Sequence, residues 1–232
     1  AQGVLRYSIV TAGKALSDKE IDNMCDTIRQ IRQETTLSVC VSFGLLTESQ
    51  FRRLKEAGVS RVHNNLETSE KHFPNICTTH TFADKVSAIQ AAQRAGLIVC
   101  SGGIMGLGET TADRIDMALS LRELGITSVL NPIPGTPFGE YPTLSEAEVL
   151  RILALYRFLL PAASIRMAGG RGLLPDGGKS CFLSGANAAI TDDMLTTAGI
   201  TVQTDLQMLT ELGYEVKLDE TTDDHWHRYG RG

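Results

Sequence analysis

The sequence has no lysine/arginine run, no even set of cysteines, and no apolar stretch near the ~18 residues of a membrane helix. Each of these gaps removes a class of protein. With a net charge of −5 there is no basic footprint for nucleic acid, and nothing long enough to enter a bilayer. No signal-peptide pattern opens the chain, which predicts a cytoplasmic protein. Five cysteines (Cys25, Cys40, Cys77, Cys100, Cys181) are an odd count in 232 residues and argue against a disulfide framework. No internal repeat, low-complexity tract or linker divides the chain. It begins AQGVLRYSIV, without methionine and already close to a strand, which reads as a start cut short.

The remaining sequence alternates short β-like runs with helical patterns. Strands are predicted over 5–13, 37–44, 61–67, 97–104, 127–130, 163–170 and 185–191. Helices are predicted from Ser17, where SDKE reads as a capping box, and over 47–58, 82–95, 110–124, 145–160 and 203–212. Strict alternation of this kind implies a parallel sheet. Seven units behind a trimmed start predict an α/β fold of the (β/α)8 TIM-type barrel with its first strand missing; a doubly wound open sheet is the alternative. Residues 1–216 form the expected barrel and 217–232 a polar tail.

In a parallel barrel, functional side chains collect at the C-terminal ends of strands. Those ends offer Ser8, Cys40, the His63–Asn64–Asn65–Glu67 group, Cys100, Arg166 and Asn187. Val39 and Val41 flank Cys40 and Val99 precedes Cys100, so both thiols are expected to be buried. Arg166 lies in an apolar strand, where an unpaired charge is costly. Two thiols and a cation from different strands make sense around one inorganic anion such as an iron–sulfur cluster. They make equal sense as core cysteines, with Arg166 paired to an acid such as Glu67. The loop GGIMGLGE after Cys100 has neither the G-x-G-x-x-G spacing nor a Walker lysine, so its glycines point to close backbone approach, as to an adenine or methionyl group. Asn65 and Glu67, two apart in the predicted strand, share a face and suit ribose hydroxyls or a urea-like group. A satisfied structural network is the other reading.

Taken together, HNNLETS, NICTTHTF, VCSGGIMGLGET, NPIPGTPF, IRMAGGRG, SGANAAIT and DMLTT resemble, in order and approximate spacing, the biotin synthases, which are radical S-adenosylmethionine enzymes. The likeness runs from about residue 5 to about residue 216. It implies a (β/α)8 barrel. It also implies a 4Fe–4S cluster that reductively cleaves S-adenosylmethionine to a 5′-deoxyadenosyl radical, and an auxiliary iron–sulfur cluster that donates sulfur to dethiobiotin. Cys40, Cys100 and Arg166 fall on auxiliary-cluster ligand positions. Asn65 and Glu67 fall on positions for the ribose and substrate, and Gly103, Ile104 and Gly106 on the adenosyl site. His63 and Asn131 fall beside the substrate, and Thr196 and Thr197 where its carboxylate is held. A flavodoxin or ferredoxin electron donor and a homodimer follow from the same resemblance.

Three features depart from that pattern. The radical-cluster motif C-x3-C-x2-C is absent. Ser8 stands where the family has a cysteine, and a hydroxyl is a poor ligand for iron in a sulfur cluster; the auxiliary cluster, 2Fe–2S or an altered type with another ligand or exogenous sulfide, is on this reading otherwise labile or lost. TSVLNPIPG is about four residues short of the family's strand, with Asn131 as partial compensation for a substrate-binding asparagine. A methylornithine synthase or hydrogenase maturase type of enzyme, or a non-catalytic metabolite-binding barrel, are the competing readings.

Overall fold

Reciprocal hydrogen bonds between an N-cap side chain and the residue three places on start five of the helices: Ser17 with Glu20, Thr47 with Gln50, Thr81 with Asp84, Thr110 with Asp113, and Ser145 with Glu148. Each satisfies donors that a helix start otherwise leaves without partners. The structure, a computed structural model, describes residues 6–126, 128–131 (backbone only), 144–192 and 199–216. The elements run β1 (Arg6–Val10), α1 (Asp18–Glu34), β2 (Ser38–Ser42), α2 (Glu48–Glu56), β3 (Val59–His63), α3 (Phe73–Ile76), α4 (Phe82–Arg94), β4 (Ile98–Gly102), α5 (Thr111–Glu123), β5 (Ser128–Asn131), α6 (Glu146–Leu159), β6 (Ser164–Met167), α7 (Lys179–Leu183), β7 (Ala188–Ala189) and α8 (Val202–Glu211).

All seven strands are parallel and neighbour one another in chain order, the strand sequence of a (β/α) barrel. Among the described residues β1 and β7 are the edges and do not pair with each other. The strands are shorter than predicted, and α3 and α7 were not predicted: both are single-turn helices of four and five residues, too short for a periodic signal. The polar tail 217–232 lies outside the described residues.

The sheet separates two compartments. Val39 and Val41 on β2, Val62 on β3, Val99 on β4, and Ile165 and Met167 on β6 pack under the helices with Ile28, Phe51, Leu54, Ile89, Leu121, Leu153 and Tyr156. Burial of each such side chain contributes ~1.5–3 kcal/mol. The alternate residues face the other way, because strand side chains have a period of two. In that inner space Cys100 and Ala168 form their own small buried cluster, with Ile190 against it. The ion pair Arg171–Asp205, 2.5 Å and buried on both sides, ties α8 to the turn that follows β6.

Candidate active site in the barrel lumen

Strand register places the inner residues side by side. Ser8 pairs with Cys40 across β1 and β2, Cys40 with Arg61 across β2 and β3, and His63 with Cys100 across β3 and β4. Arg166 on β6 reaches back across the lumen, its Nη1 donating to Cys100 Sγ at 3.4 Å. Cys40 is 5% exposed and Cys100 0%. Burial pushes the Cys40 thiol up to about 11, and Cys100 beside it pushes the same way, while Arg61, Arg166 and the Ser8 hydroxyl pull it down. Ser8, Cys40, Arg61, Cys100 and Arg166 therefore share one space. Arg166 does not take Glu67 as its partner; Glu67 pairs with Lys85, at 3.5 Å.

A second group lies beyond the end of β3. The predicted strand 61–67 is shifted to Val59–His63, so Asn65 and Glu67 stand on a loop rather than on one face of a strand. They still meet, with Asn65 Nδ2 donating to Glu67 Oε2 at 3.4 Å. The reason is a turn, not alternation: Glu67 sits at φ 71°, in the left-handed region. Its N–H donates to Gly102 O and its carbonyl accepts from Ile104 N, so the loop rides on the end of β4. Asn65 Oδ1 is buried and accepts no hydrogen bond among the described residues, which leaves an acceptor waiting for a donor.

The glycine loop follows directly. A Cβ on Gly103 would lie 2.3 Å from Glu67 O and 2.5 Å from Met117 Sδ, so the close approach this glycine serves is to the neighbouring loop. Glu109 then gathers the loop: its carboxylate accepts from Gly106 N (2.8 Å), Leu107 N (2.7 Å) and Arg114 Nε (2.8 Å), with its own side chain 2% exposed. Ile104 N and Gly106 N are thus already engaged within the chain. Asp113 accepts from Ser69 Oγ at 2.7 Å, and His72 Nε2 lies 3.0 Å from Leu107 O, which fastens the two loops together.

Other sequence candidates divide. Asn187 Oδ1 accepts from Ile165 N at 2.8 Å and so aligns β7 on β6. Asn131 ends β5 opposite Met167, with its side chain outside the described residues. Thr196 and Thr197 lie outside the described residues altogether. Arg61 and Lys85 were missed. Arg61 opens the predicted strand RVHNNLE, and a lone arginine at a strand start carries no signal until register sets it beside a thiol.

Residues 1–121 match the family model of the radical SAM superfamily, and residues 127–215 match that of the biotin and thiamin synthesis associated domain. A biotin synthase of Brachyspira hyodysenteriae is 60% identical over 223 residues, 94% of this chain and 67% of the relative. A biotin synthase of Akkermansia muciniphila is 55% identical, over 94% of this chain and 69% of the relative. This chain belongs to the biotin synthase family. Solved structures of a methylornithine synthase (TM-score 0.71, 18% identity, 86% of this chain and 65% of that one) and of an [FeFe]-hydrogenase maturase (TM-score 0.74, 18% identity, 92% and 53%) share the fold.

For a biotin synthase chain the lumen can be tested against the iron–sulfur groups the family implies. Two buried thiols beside a hydroxyl and guanidinium groups are soft donors in a cationic setting, which suits an anionic iron–sulfur cluster and not a hard cation. Among the described residues no three His, Cys, Asp or Glu side chains gather as a metal-binding set. The residues that would hold such a group here are Cys40 and Cys100, with Ser8 and Arg166 beside them. The unfilled acceptor at Asn65 fits a hydroxyl of a nucleoside. The five cysteines of this biotin synthase chain include no C-x3-C-x2-C spacing for the radical cluster.

Proposed function

We propose that the protein inserts sulfur into dethiobiotin, closing the thiophane ring of biotin with S-adenosylmethionine as radical source. The observation that supports this most is the meeting of the buried Cys40 and Cys100 thiols with the half-buried Arg166 guanidinium and the exposed Ser8 hydroxyl on the lumen side of the sheet. When bound, a 4Fe–4S cluster supplies reductive cleavage of S-adenosylmethionine, and an auxiliary cluster, 2Fe–2S or an altered type given Ser8, supplies sulfur. The chain's own part is to hold and exclude. Cys40 and Cys100 bind the auxiliary cluster, with Arg166 as a charged partner on the far side. Asn65 Oδ1 accepts from a ribose hydroxyl, Glu67 takes the neighbouring one, and Lys85, 3.5 Å from Glu67, holds that carboxylate in place. The chain at Gly103, Ile104 and Gly106 meets the adenosyl group by shape, since the Ile104 and Gly106 N–H groups are engaged elsewhere. His63, the register partner of Cys100, binds the substrate together with Asn131, and Thr196 and Thr197 hold the substrate carboxylate. Residues 1–216 act as one barrel unit, with 217–232 as a tail. Electrons come from flavodoxin or ferredoxin, the enzyme is a homodimer, and it works in the cytoplasm.

The test is anaerobic iron and sulfide reconstitution of the full-length protein, as wild type and as Cys40→Ala and Cys100→Ala. Each variant is expected to lose the auxiliary share of iron and to make no biotin, while still forming 5′-deoxyadenosine. Undiminished biotin formation by either variant sinks the reading.

A further inference from the structure

Arg61 is a charged group on the lumen face of β3 that the sequence motifs do not account for. It is 5% exposed, on β3, and its register neighbours are Cys40 on one side and Ile98 on the other. Arg166 approaches the same two thiols from β6. The two guanidinium groups thus flank the thiol pair from opposite strands. An apolar barrel floor needs no second arginine to pack. Burying a guanidinium is expensive, and its expense is offset where an anion of comparable charge sits beside it.

We infer that Arg61 is a second guanidinium of the sulfur-donor site, whose positive charge faces the iron–sulfur group held by Cys40 and Cys100, retains it and raises its reduction potential. The inference rests on the functional reading above. Its physical basis is that the potential of such a group follows the net charge around it: a nearby cation favours the more negative, reduced form. Arg61 acts as a positioning charge on the bound group and takes no part in the radical chemistry.

The experiment compares reconstituted full-length wild type with Arg61→Met and Arg61→Lys by anaerobic redox titration of the auxiliary cluster's absorbance, with iron counted per chain and folding checked by circular dichroism. Arg61→Met is expected to lower the reduced-to-oxidised ratio at fixed applied potential about tenfold, equal to ~59 mV for one electron. Arg61→Lys, which keeps the charge, is expected to restore most of it. An unchanged midpoint in Arg61→Met, or equal shifts in Met and Lys, overturns the inference and assigns Arg61 to the barrel floor alone. If Arg61→Met does not fold, Arg61→Gln takes its place under the same criteria. The two readings fail separately. A wild type that loads no auxiliary iron overturns both. Iron lost in Cys40→Ala together with an indifferent Arg61 overturns only this one.

Discussion

Arg166 on β6 donates a hydrogen bond to the sulfur of Cys100 on β4, 66 positions earlier in the chain and across the lumen, at 3.4 Å. A half-buried guanidinium aimed at a buried thiol adds little to stability, since a partly desolvated charge costs more than an apolar side chain of similar size. It makes sense as a group kept for what it binds. Residues of that kind are commonly retained against stability.

Arg166→Met in the cluster-free protein is accordingly expected to be no less stable than wild type, and up to ~1 kcal/mol more stable. Urea unfolding under anaerobic, chelated conditions measures this. A loss of ~3–5 kcal/mol makes Arg166 one half of a structural ion pair and removes the reason given for its position.

Gly103 is held between Glu67 and Met117. Gly103→Ala places a methyl group 2.3 Å from the Glu67 carbonyl, which is backbone and cannot swing aside. The expected cost is ~1–3 kcal/mol of unfolding free energy. The variant also shifts Glu67 away from Asn65, so S-adenosylmethionine affinity should fall with stability. Calorimetric titration with S-adenosylmethionine reads the second effect; unchanged affinity separates the loop from the nucleoside site.

Asp113 carries an acid-range dependence. Hydrogen bonds from the Thr110 hydroxyl, the Ser69 hydroxyl and the Thr110 N–H lower its carboxyl to about 2. A carboxyl depressed in the folded state stabilises the fold when ionised. Its contribution is therefore complete above pH ~4 and is lost as pH falls through about 2. Wild type is expected to exceed Asp113→Asn in denaturation midpoint at neutral pH, and the difference should shrink between pH ~4 and ~2. A constant difference across that range contradicts the assignment.

The five cysteines should differ sharply toward alkylating reagents. Cys25, Cys40, Cys100 and Cys181 are buried, and Cys77 is partly exposed. Burial raises the Cys77 thiol, but the Thr79 hydroxyl, the N–H groups of Thr79 and His80, and the Lys85 charge outweigh it and leave it below the ordinary thiol value. His80 Nδ1 lies 3.5 Å from its sulfur. One fast-labelling thiol per chain is expected at neutral pH, and Cys77→Ser should remove it. A fast phase that survives in Cys77→Ser assigns the reactive thiol elsewhere.

By itself the sequence determined the alternation, the helix starts and the list of chemical groups at the strand ends. Capping pairs such as Ser17 with Glu20 act within one turn, and apolar periodicity marks which face is buried; both are local, so both are legible in one dimension. Cys40, Cys100 and Arg166 stood out because polar or reactive residues inside valine- and isoleucine-rich strands conflict with their surroundings. What they touch was decided only by tertiary structure, since contact across a sheet depends on register, and register joins residues that are far apart in the chain. That is why Arg61 gained its place beside Cys40 only from strand pairing. It is also why Asn65 and Glu67 meet through a left-handed turn rather than the alternation of a strand, and why Gly103 faces a neighbouring loop.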